Sequence, residues 1–278
     1  ERDRLGFRST TEYGSAGNWQ QIASQFGTLR NLSYAVDVDY RSENGYFPNT
    51  DSRQLSVYGK GKAQFTPADT GFLMVNYNDY ESGDTRQYYN PADPRVGVSP
   101  GFRSQEVQEP NVFLGWHHEW SPSQHTLLLA GHLNGTLNYS DTNAIIPVLS
   151  RPTPASAETA LLTRVFDVNY GRELNAWTAE LQHLAQVRAH TLVAGLRYQT
   201  GELDTAGSQI LHNGRSQFPG PDVFPAVRQS TSTDLQRLST YLYDTWRIVP
   251  ALRLTAGVSY DRLDYPQNVD FLPLDPGE

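Results

Sequence analysis

The chain has 278 residues, a net charge of −8 at pH 7 and an isoelectric point near 5.4, a balance that argues against general nucleic-acid binding. It contains no cysteine, which excludes disulfide frameworks, thiolate metal sites and cysteine nucleophiles. No apolar run approaches the roughly 20 residues of a membrane-spanning helix, yet with 12% aromatic residues the chain is too rich in apolar surface to be disordered.

Hydrophobic residues alternate with a period of two along much of the chain, and no segment repeats them at helical spacing. Even positions are apolar in residues 31–40 and 252–261, whereas odd positions are apolar or small in residues 54–65. Such segments predict strands with one apolar and one polar face. In chain order we predict about eleven strands, at residues 5–13, 19–26, 32–40, 54–65, 72–80, 111–120, 125–139, 173–187, 191–199, 235–248 and 252–263.

Two features of the eighth strand are open at this point. It is ambiguous which positions of this strand form its apolar face. Trp177, Ala179 and Leu181 indicate the odd positions, whereas Leu184 indicates the even positions. Residues 165–170 also alternate, and we interpret them as an extension of a strand above a membrane.

Short and long connections alternate from residue 27 onward. Tight turns are predicted at residues 27–31, 66–70, 121–124, 188–190 and 249–251, and long polar loops at about 81–109, 140–172 and 203–233. This alternation collects the long loops at one end of an up-and-down antiparallel sheet, as in outer-membrane barrels with short periplasmic turns and long extracellular loops. Because complete bacterial single-chain barrels have an even number of strands, we expect residues 1–278 to be part of a larger transmembrane β-barrel.

An Ala-Gly pair recurs at residues 130–131, 194–195 and 256–257, with spacings of 64 and 62 residues. Each pair lies in a predicted strand that follows a tight turn. The repeated unit is therefore a hairpin plus a long loop. A β-propeller also has an internal period, but its blades contain four short strands and lack such loops.

Several of these segments resemble TonB-dependent outer-membrane receptors. The start of the receptor barrel, just after the plug domain, is similar to Thr11-Glu-Tyr-Gly-Ser-Ala-Gly and Leu32-Ser-Tyr-Ala-Val-Asp-Val-Asp-Tyr. The mid-barrel hairpins are similar to Tyr241-Leu-Tyr-Asp-Thr-Trp-Arg and Leu252-Arg-Leu-Thr-Ala-Gly-Val-Ser-Tyr.

The resemblance implies a receptor of the Gram-negative outer membrane and the first half of a barrel of about 22 strands. It implies four partners: outer-membrane lipid, a plug domain and TonB, both outside this segment, and a small-molecule nutrient complex of the siderophore, cobalamin or glycan class. It implies binding and transport, with no enzymatic activity and no nucleic-acid partner.

The sequence His117-His118-Glu119 is the most metal-like cluster. Neighbouring residues of a strand point to opposite faces, so His117 and Glu119 can share a site that excludes His118. The flanking tryptophans fit an aromatic girdle at a membrane interface. We therefore predict no metal site and no cofactor, and we assign the interface girdle to Trp116, Trp120 and Trp246.

No nucleophile elbow or phosphate-cradling loop occurs, so no catalytic residue is predicted. Two groups of binding residues are predicted instead. The polar faces of the third and fourth strands carry lumen-facing or plug-facing charges at Asp37, Asp39, Lys60 and Lys62. The first long loop carries aromatic and arginine side chains that suit ligand recognition, at Tyr80, Arg86, Tyr88, Tyr89, Arg95, Phe102 and Arg103.

Three alternatives stay open on the sequence alone. A passive porin-like or structural barrel would share the strand rhythm but lack a plug. A barrel hydrolase would keep a Ser/His or Asp/His pair on its strands. A soluble all-β binding domain would fold without detergent.

Overall fold

The computed structural model describes residues 3–85, 100–150, 160–212 and 226–264. They form eleven strands, with one 3₁₀ turn at Ser15–Gly17. The strands are β1 Arg4–Tyr13, β2 Trp19–Leu29, β3 Leu32–Glu43, β4 Ser52–Gln64, β5 Asp69–Ser82, β6 Arg103–Ser121, β7 Gln124–Ser150, β8 Ala160–Val187, β9 His190–Leu211, β10 Val227–Val249 and β11 Leu252–Asp264.

All eleven strands belong to one sheet, in which each strand pairs with its neighbours in sequence. Each pair is antiparallel. The sheet is unclosed, with β1 at one edge and β11 at the other. This topology confirms the predicted up-and-down all-β fold and places the five tight turns predicted from residue 27 onward together at one end, which we call the short-turn end.

The strand register separates the side chains into two faces. One face, the apolar face, carries residues such as Val36 in β3, Leu181 in β8 and Leu196 in β9. The other, the polar face, follows a cross-strand row from Lys62 to Asp261. This row consists of Lys62, Phe72, Gly115, Leu129, Glu180, Arg197, Ser239 and Asp261.

The register also settles the facing of β8. Leu181 pairs with Leu128 and Leu196, so Leu181, Ala179 and Trp177 lie on the apolar face. Leu184 lies on the polar face, two residues from Gln182. The ambiguity arose because alternation weakens near a turn, where both faces approach water.

The repeated Ala-Gly pairs have a packing explanation. Each glycine lies on the polar face directly opposite an aromatic residue, in the pairs Phe113–Gly131, Tyr241–Gly195 and Tyr243–Gly257. A Cβ built on Gly195 would lie 2.1 Å from the ring of Tyr241, and one on Gly131 would lie 2.4 Å from the ring of Phe113. The ring therefore covers the glycine, and any side chain there would displace it.

Strands β7 to β10 continue well beyond the predicted strand ends. β7 and β8 pair from Gln124–Ala185 to Ser150–Ala160, inside the segment predicted as a loop at 140–172. β9 and β10 likewise pair within the predicted loop at 203–233. Above an apolar belt both faces meet water, so the hydrophobic alternation that marks a strand disappears although the backbone ladder continues.

Little apolar surface is buried within the sheet. Among the described residues, Phe166 and Ala176 are the buried hydrophobic ones, whereas large apolar side chains such as Leu242 and Val258 are 48% and 66% exposed. The described residues contain no helix of the length and apolarity needed to cross a membrane. An apolar face of this extent requires an apolar medium or partner to cover it.

We expect a charge on the apolar face to destabilise the sheet in a bilayer. Leu181→Arg should lower the free energy of unfolding in phospholipid vesicles by about 2–4 kcal/mol, because Leu181 is surrounded by apolar cross-strand neighbours. The matched control is Thr178→Arg, on the polar face of the same strand, which should change it by about 1 kcal/mol or less. Guanidinium titration followed by tryptophan fluorescence measures both, and equal losses would contradict the assignment of faces.

Candidate functional site

Three aromatic rings stack at the end of the sheet opposite the short turns. Phe102 precedes β6, Tyr139 lies in β7 and Tyr170 lies in β8. The ring centroids are 6.2 Å apart between Phe102 and Tyr139, and 4.9 Å apart between Tyr139 and Tyr170, with nearly parallel planes. Tyr139 and Tyr170 are direct cross-strand partners, so the ladder itself sets their spacing. We call these three residues the aromatic stack.

The aromatic stack is tied to its neighbours through the backbone. The side-chain amide of Asn49 donates a 2.9 Å hydrogen bond to the carbonyl oxygen of Phe102. This contact anchors the segment before β6 to the connection between β3 and β4. The ring of Phe102 is therefore held against Tyr139 at the point where the chain enters the sheet.

Polar and aromatic side chains occupy the next row of the polar face. Tyr80 pairs with Glu106, Glu106 with Leu137, and Leu137 with Arg172. A cleft of about 470 Å³ opens at Leu137 and Arg172, and Leu174, Leu203 and Leu235 also line it. The region thus combines flat aromatic faces, an arginine, a carboxylate and an apolar cleft, which suits a ligand with rings and polar substituents.

The structure separates the residues predicted for ligand binding. Phe102 belongs to the aromatic stack, and Tyr80 lies on the same polar face. Arg103 points to the other face in strand register and forms a 2.7 Å ion pair with Asp51. The remaining four candidates, Arg86, Tyr88, Tyr89 and Arg95, lie outside the described residues.

The sequence does not single out Tyr139 and Tyr170 as site residues, because the segment between them is predicted to be a loop. Tyr139 is the last residue of a predicted strand and Tyr170 ends the predicted extension, so the intervening residues counted as a loop. The signal that could have found them is that tyrosines at both ends of a long loop become cross-strand neighbours if the loop is itself a hairpin.

The four charged residues predicted on β3 and β4 all lie on the polar face. They do not form ion pairs with one another, and their contacts are with other side chains. Asp39 accepts hydrogen bonds from Gln20 at 3.0 Å and from Arg41 at 3.4 Å. Lys60 lies 5.6 Å from the ring centroid of Tyr58. None of the ion pairs within the described ranges joins Asp37 or Asp39 to Lys60 or Lys62. Their role toward a plug stays a prediction.

A charged network spans three strands in the middle of the polar face. Glu180 of β8 accepts from Arg197 of β9, with the guanidinium nitrogens Nε at 2.9 Å and Nη2 at 2.7 Å from Oε2. Its other oxygen accepts a 2.5 Å hydrogen bond from the hydroxyl of Tyr241 in β10. Gln182 donates to the same hydroxyl at 3.0 Å. One carboxylate thus links three strands and holds the ring of Tyr241 over Gly195.

Aromatic and histidine rings cluster on the apolar face at the short-turn end. His118 lies between Trp116 and Trp120, with ring centroids 5.4 and 4.3 Å away. His118 Nδ1 shares a 2.7 Å hydrogen bond with Asp69. The indole of Trp120 donates to Thr126 at 2.9 Å. Rings with an apolar body and a hydrogen-bonded edge are typical of a membrane interface.

Trp246 takes part in a similar arrangement two turns further along the sheet. Its ring stacks on His190 at 5.7 Å, and His190 Nδ1 shares a 2.7 Å hydrogen bond with Asp244. On the polar face, His117 contacts His125 at 3.0 Å. No group of three or more His, Cys, Asp or Glu side chains in the described part of the chain is placed to hold a metal ion.

Comparison with known proteins identifies similar sequences and folds. The sequence model of a family described as TonB dependent receptor-like, beta-barrel matches residues 76–273. The copper transporter OprC has a similar structure, with a TM-score of 0.65 and 12% identity over 93% of this chain and 38% of its own. A search among curated protein sequences finds no match.

Two further solved structures are similar to nearly the same extent. The ferripyoverdine receptor of the outer membrane of Pseudomonas aeruginosa, bound to ferripyoverdine, has a TM-score of 0.65 and 12% identity over 93% of this chain and 37% of its own. The unliganded ferric citrate transporter FecA has a TM-score of 0.62 and 12% identity over 94% of this chain and 37% of its own. The chain therefore spans less than two fifths of the length of each of these structures.

We expect Glu180 to stabilise the polar face through its two partners. Glu180→Ala leaves the guanidinium of Arg197 and the hydroxyl of Tyr241 without their acceptor, and should lower the free energy of unfolding by about 1–3 kcal/mol. Thr178→Ala, two residues away on the same face, should change it by about 0.5 kcal/mol or less. Chemical denaturation in detergent micelles measures both, and an unchanged midpoint for Glu180→Ala would contradict the network.

Proposed function

The chain belongs to the TonB-dependent receptor β-barrel family, and we propose that it forms part of a receptor that takes up a scarce nutrient complex through the outer membrane. The match over residues 76–273 carries this proposal. The family consists of transport proteins of the Gram-negative outer membrane and not of enzymes. The nutrient binds at the long-loop end, and TonB supplies the energy for its passage.

The two faces of the sheet fit this role. The apolar face, with Trp116, Trp120 and Trp246 at its lower border, contacts outer-membrane lipid. The polar face lines the lumen, where Asp37 and Lys62 belong to a hydrated wall beside the plug domain. Solvent-exposed charges contribute little stability even when they are paired, so the role of these residues is to keep the interior hydrated and polar.

The aromatic stack supports binding at the long-loop end. Phe102, Tyr139 and Tyr170 lie on the lumen side, above the cleft that contains Arg172. Aromatic faces and a guanidinium recognise planar rings and anionic groups, both of which occur in siderophore complexes. Cobalamin and glycan complexes also present rings. The iron-complex receptors among the similar structures favour the siderophore class.

Uptake by whole cells tests the proposal. A strain that depends on this receptor should accumulate radioactive iron from one of a panel of ferric siderophores, and a protonophore should abolish accumulation while leaving surface binding intact. Parallel panels of labelled cobalamin and oligosaccharides cover the other two classes. Accumulation that continues in the presence of the protonophore would contradict TonB-energised uptake and indicate a passive barrel.

We expect the aromatic stack to determine the affinity for the nutrient. Tyr139→Ala removes the central ring and should raise the dissociation constant about tenfold or more, as for aromatic residues at the centre of an interface. The matched control Tyr198→Ala removes a tyrosine from the apolar face and should leave affinity unchanged. Equilibrium binding of the labelled nutrient to cells measures both, and equal affinities for the two variants would exclude the stack from the site.

A further inference from the structure

Three arginines cluster at the short-turn end, in two neighbouring turns. Arg188 lies in the turn between β8 and β9, and Arg247 and Arg253 flank the turn between β10 and β11. Arg247 and Arg253 are direct cross-strand partners. The backbone amide of Arg247 donates a 2.7 Å hydrogen bond to the carbonyl oxygen of Ala189, which joins the two turns. We call the three residues the arginine rim.

The arginine rim surrounds a small cleft. The cleft has a volume of about 280 Å³, and Gln186, Thr191 and Thr245 line it together with the three arginines. Gln186, Thr191 and Thr245 form one cross-strand row. This row lies on the polar face, as do Arg247 and Arg253. The cleft therefore opens toward the lumen side and offers hydroxyl and amide donors beside the guanidinium groups.

The arginine rim has no acidic ion-pair partner among the residues that the structure describes, since no ion pair there involves Arg188, Arg247 or Arg253. The nearest carboxylate in sequence, Asp244, is hydrogen-bonded to His190 on the opposite face. Like charges directly opposite each other destabilise a strand pair, so Arg247 and Arg253 are unfavourable neighbours until an anion lies between them.

We propose that the arginine rim binds the carboxylates of an acidic protein segment that approaches the short-turn mouth of the barrel. Guanidinium groups donate paired hydrogen bonds to carboxylates, and the threonine hydroxyls add further donors. Three positive charges match two or three neighbouring carboxylates, which a run of Asp or Glu supplies.

The cleft lies on the polar face, which makes it accessible to a protein segment and not to a lipid headgroup. Acyl chains cover the apolar face, where Trp246 and Leu254 lie. Arg247 and Arg253 alternate with these residues and point to the other face. A headgroup would have to cross the edge of the sheet to reach them, whereas a segment from the periplasmic side enters directly.

The proposal goes beyond nutrient uptake and rests on the proposed function for two points: the short turns face the periplasm, and lipid covers the apolar face while the polar face lines the lumen. The test uses the receptor as the cell makes it, purified in detergent, with a fluorescein-labelled hexaglutamate peptide as the probe. Fluorescence anisotropy at low ionic strength should show binding that weakens with added salt. The double variant Arg247→Gln/Arg253→Gln should raise the dissociation constant about tenfold or more.

The control is Arg262→Gln, on the same strand but on the apolar face, which removes one charge and should leave binding unchanged. The proposal is overturned if the wild-type receptor does not bind the peptide, or if the double variant and Arg262→Gln weaken binding equally. It is also overturned if phosphatidylglycerol vesicles, and not the peptide, show binding that depends on Arg247 and Arg253. Because the assay requires neither nutrient nor TonB, its outcome is independent of the uptake experiment.

Discussion

The antiparallel backbone ladder is the interaction on which the rest of this structure depends. It pairs the backbone amides and carbonyls of each strand with those of its neighbours. A chain whose apolar face contacts lipid needs this pairing, because lipid offers these groups no hydrogen-bond partner. Because side chains alternate with a period of two, the ladder also assigns each residue to one face. A slip of one residue between β8 and β9 would move Glu180 and Arg197 apart and bring Leu181 beside polar groups.

The polar face changes its chemistry along the strands. Stacked rings and the arginine of the Leu137–Arg172 row lie at the long-loop end, and a carboxylate-centred network occupies the middle. At the short-turn end lie guanidinium groups that form no ion pair with any other described residue. The two ends therefore offer different kinds of recognition, the first for rings and the second for anions. The middle section links β8, β9 and β10 through Glu180, so it holds both ends in a fixed relation.

The number of strands, their order and the position of each tight turn could be predicted from the sequence, because apolar alternation and turn residues are local signals. The continuation of β7 and β8 past Tyr139 could not, since a strand with water on both faces shows no alternation. The contacts between the residues of the site also could not be predicted from the sequence. Tyr139 and Tyr170 are 31 positions apart, and only the register brings them together. The face to which Arg103 points depends on the register shift between Val107 and Val112 in β6, beyond which even instead of odd positions lie on the polar face.

The glycines covered by aromatic rings affect the shape of the inner wall. A tyrosine or phenylalanine that projects from a strand narrows whatever space the sheet encloses by nearly the length of its side chain. At Gly131, Gly195 and Gly257 the ring instead lies over the glycine, with its nearest atom 2.1–2.4 Å from the position that a Cβ would take. The wall gains the rigidity of an aromatic residue, and at Tyr241 and Tyr243 also a hydroxyl group, without becoming narrower. In a barrel that takes up a bulky ligand, as we propose for this receptor, this arrangement would keep the interior wide where a large side chain faces it.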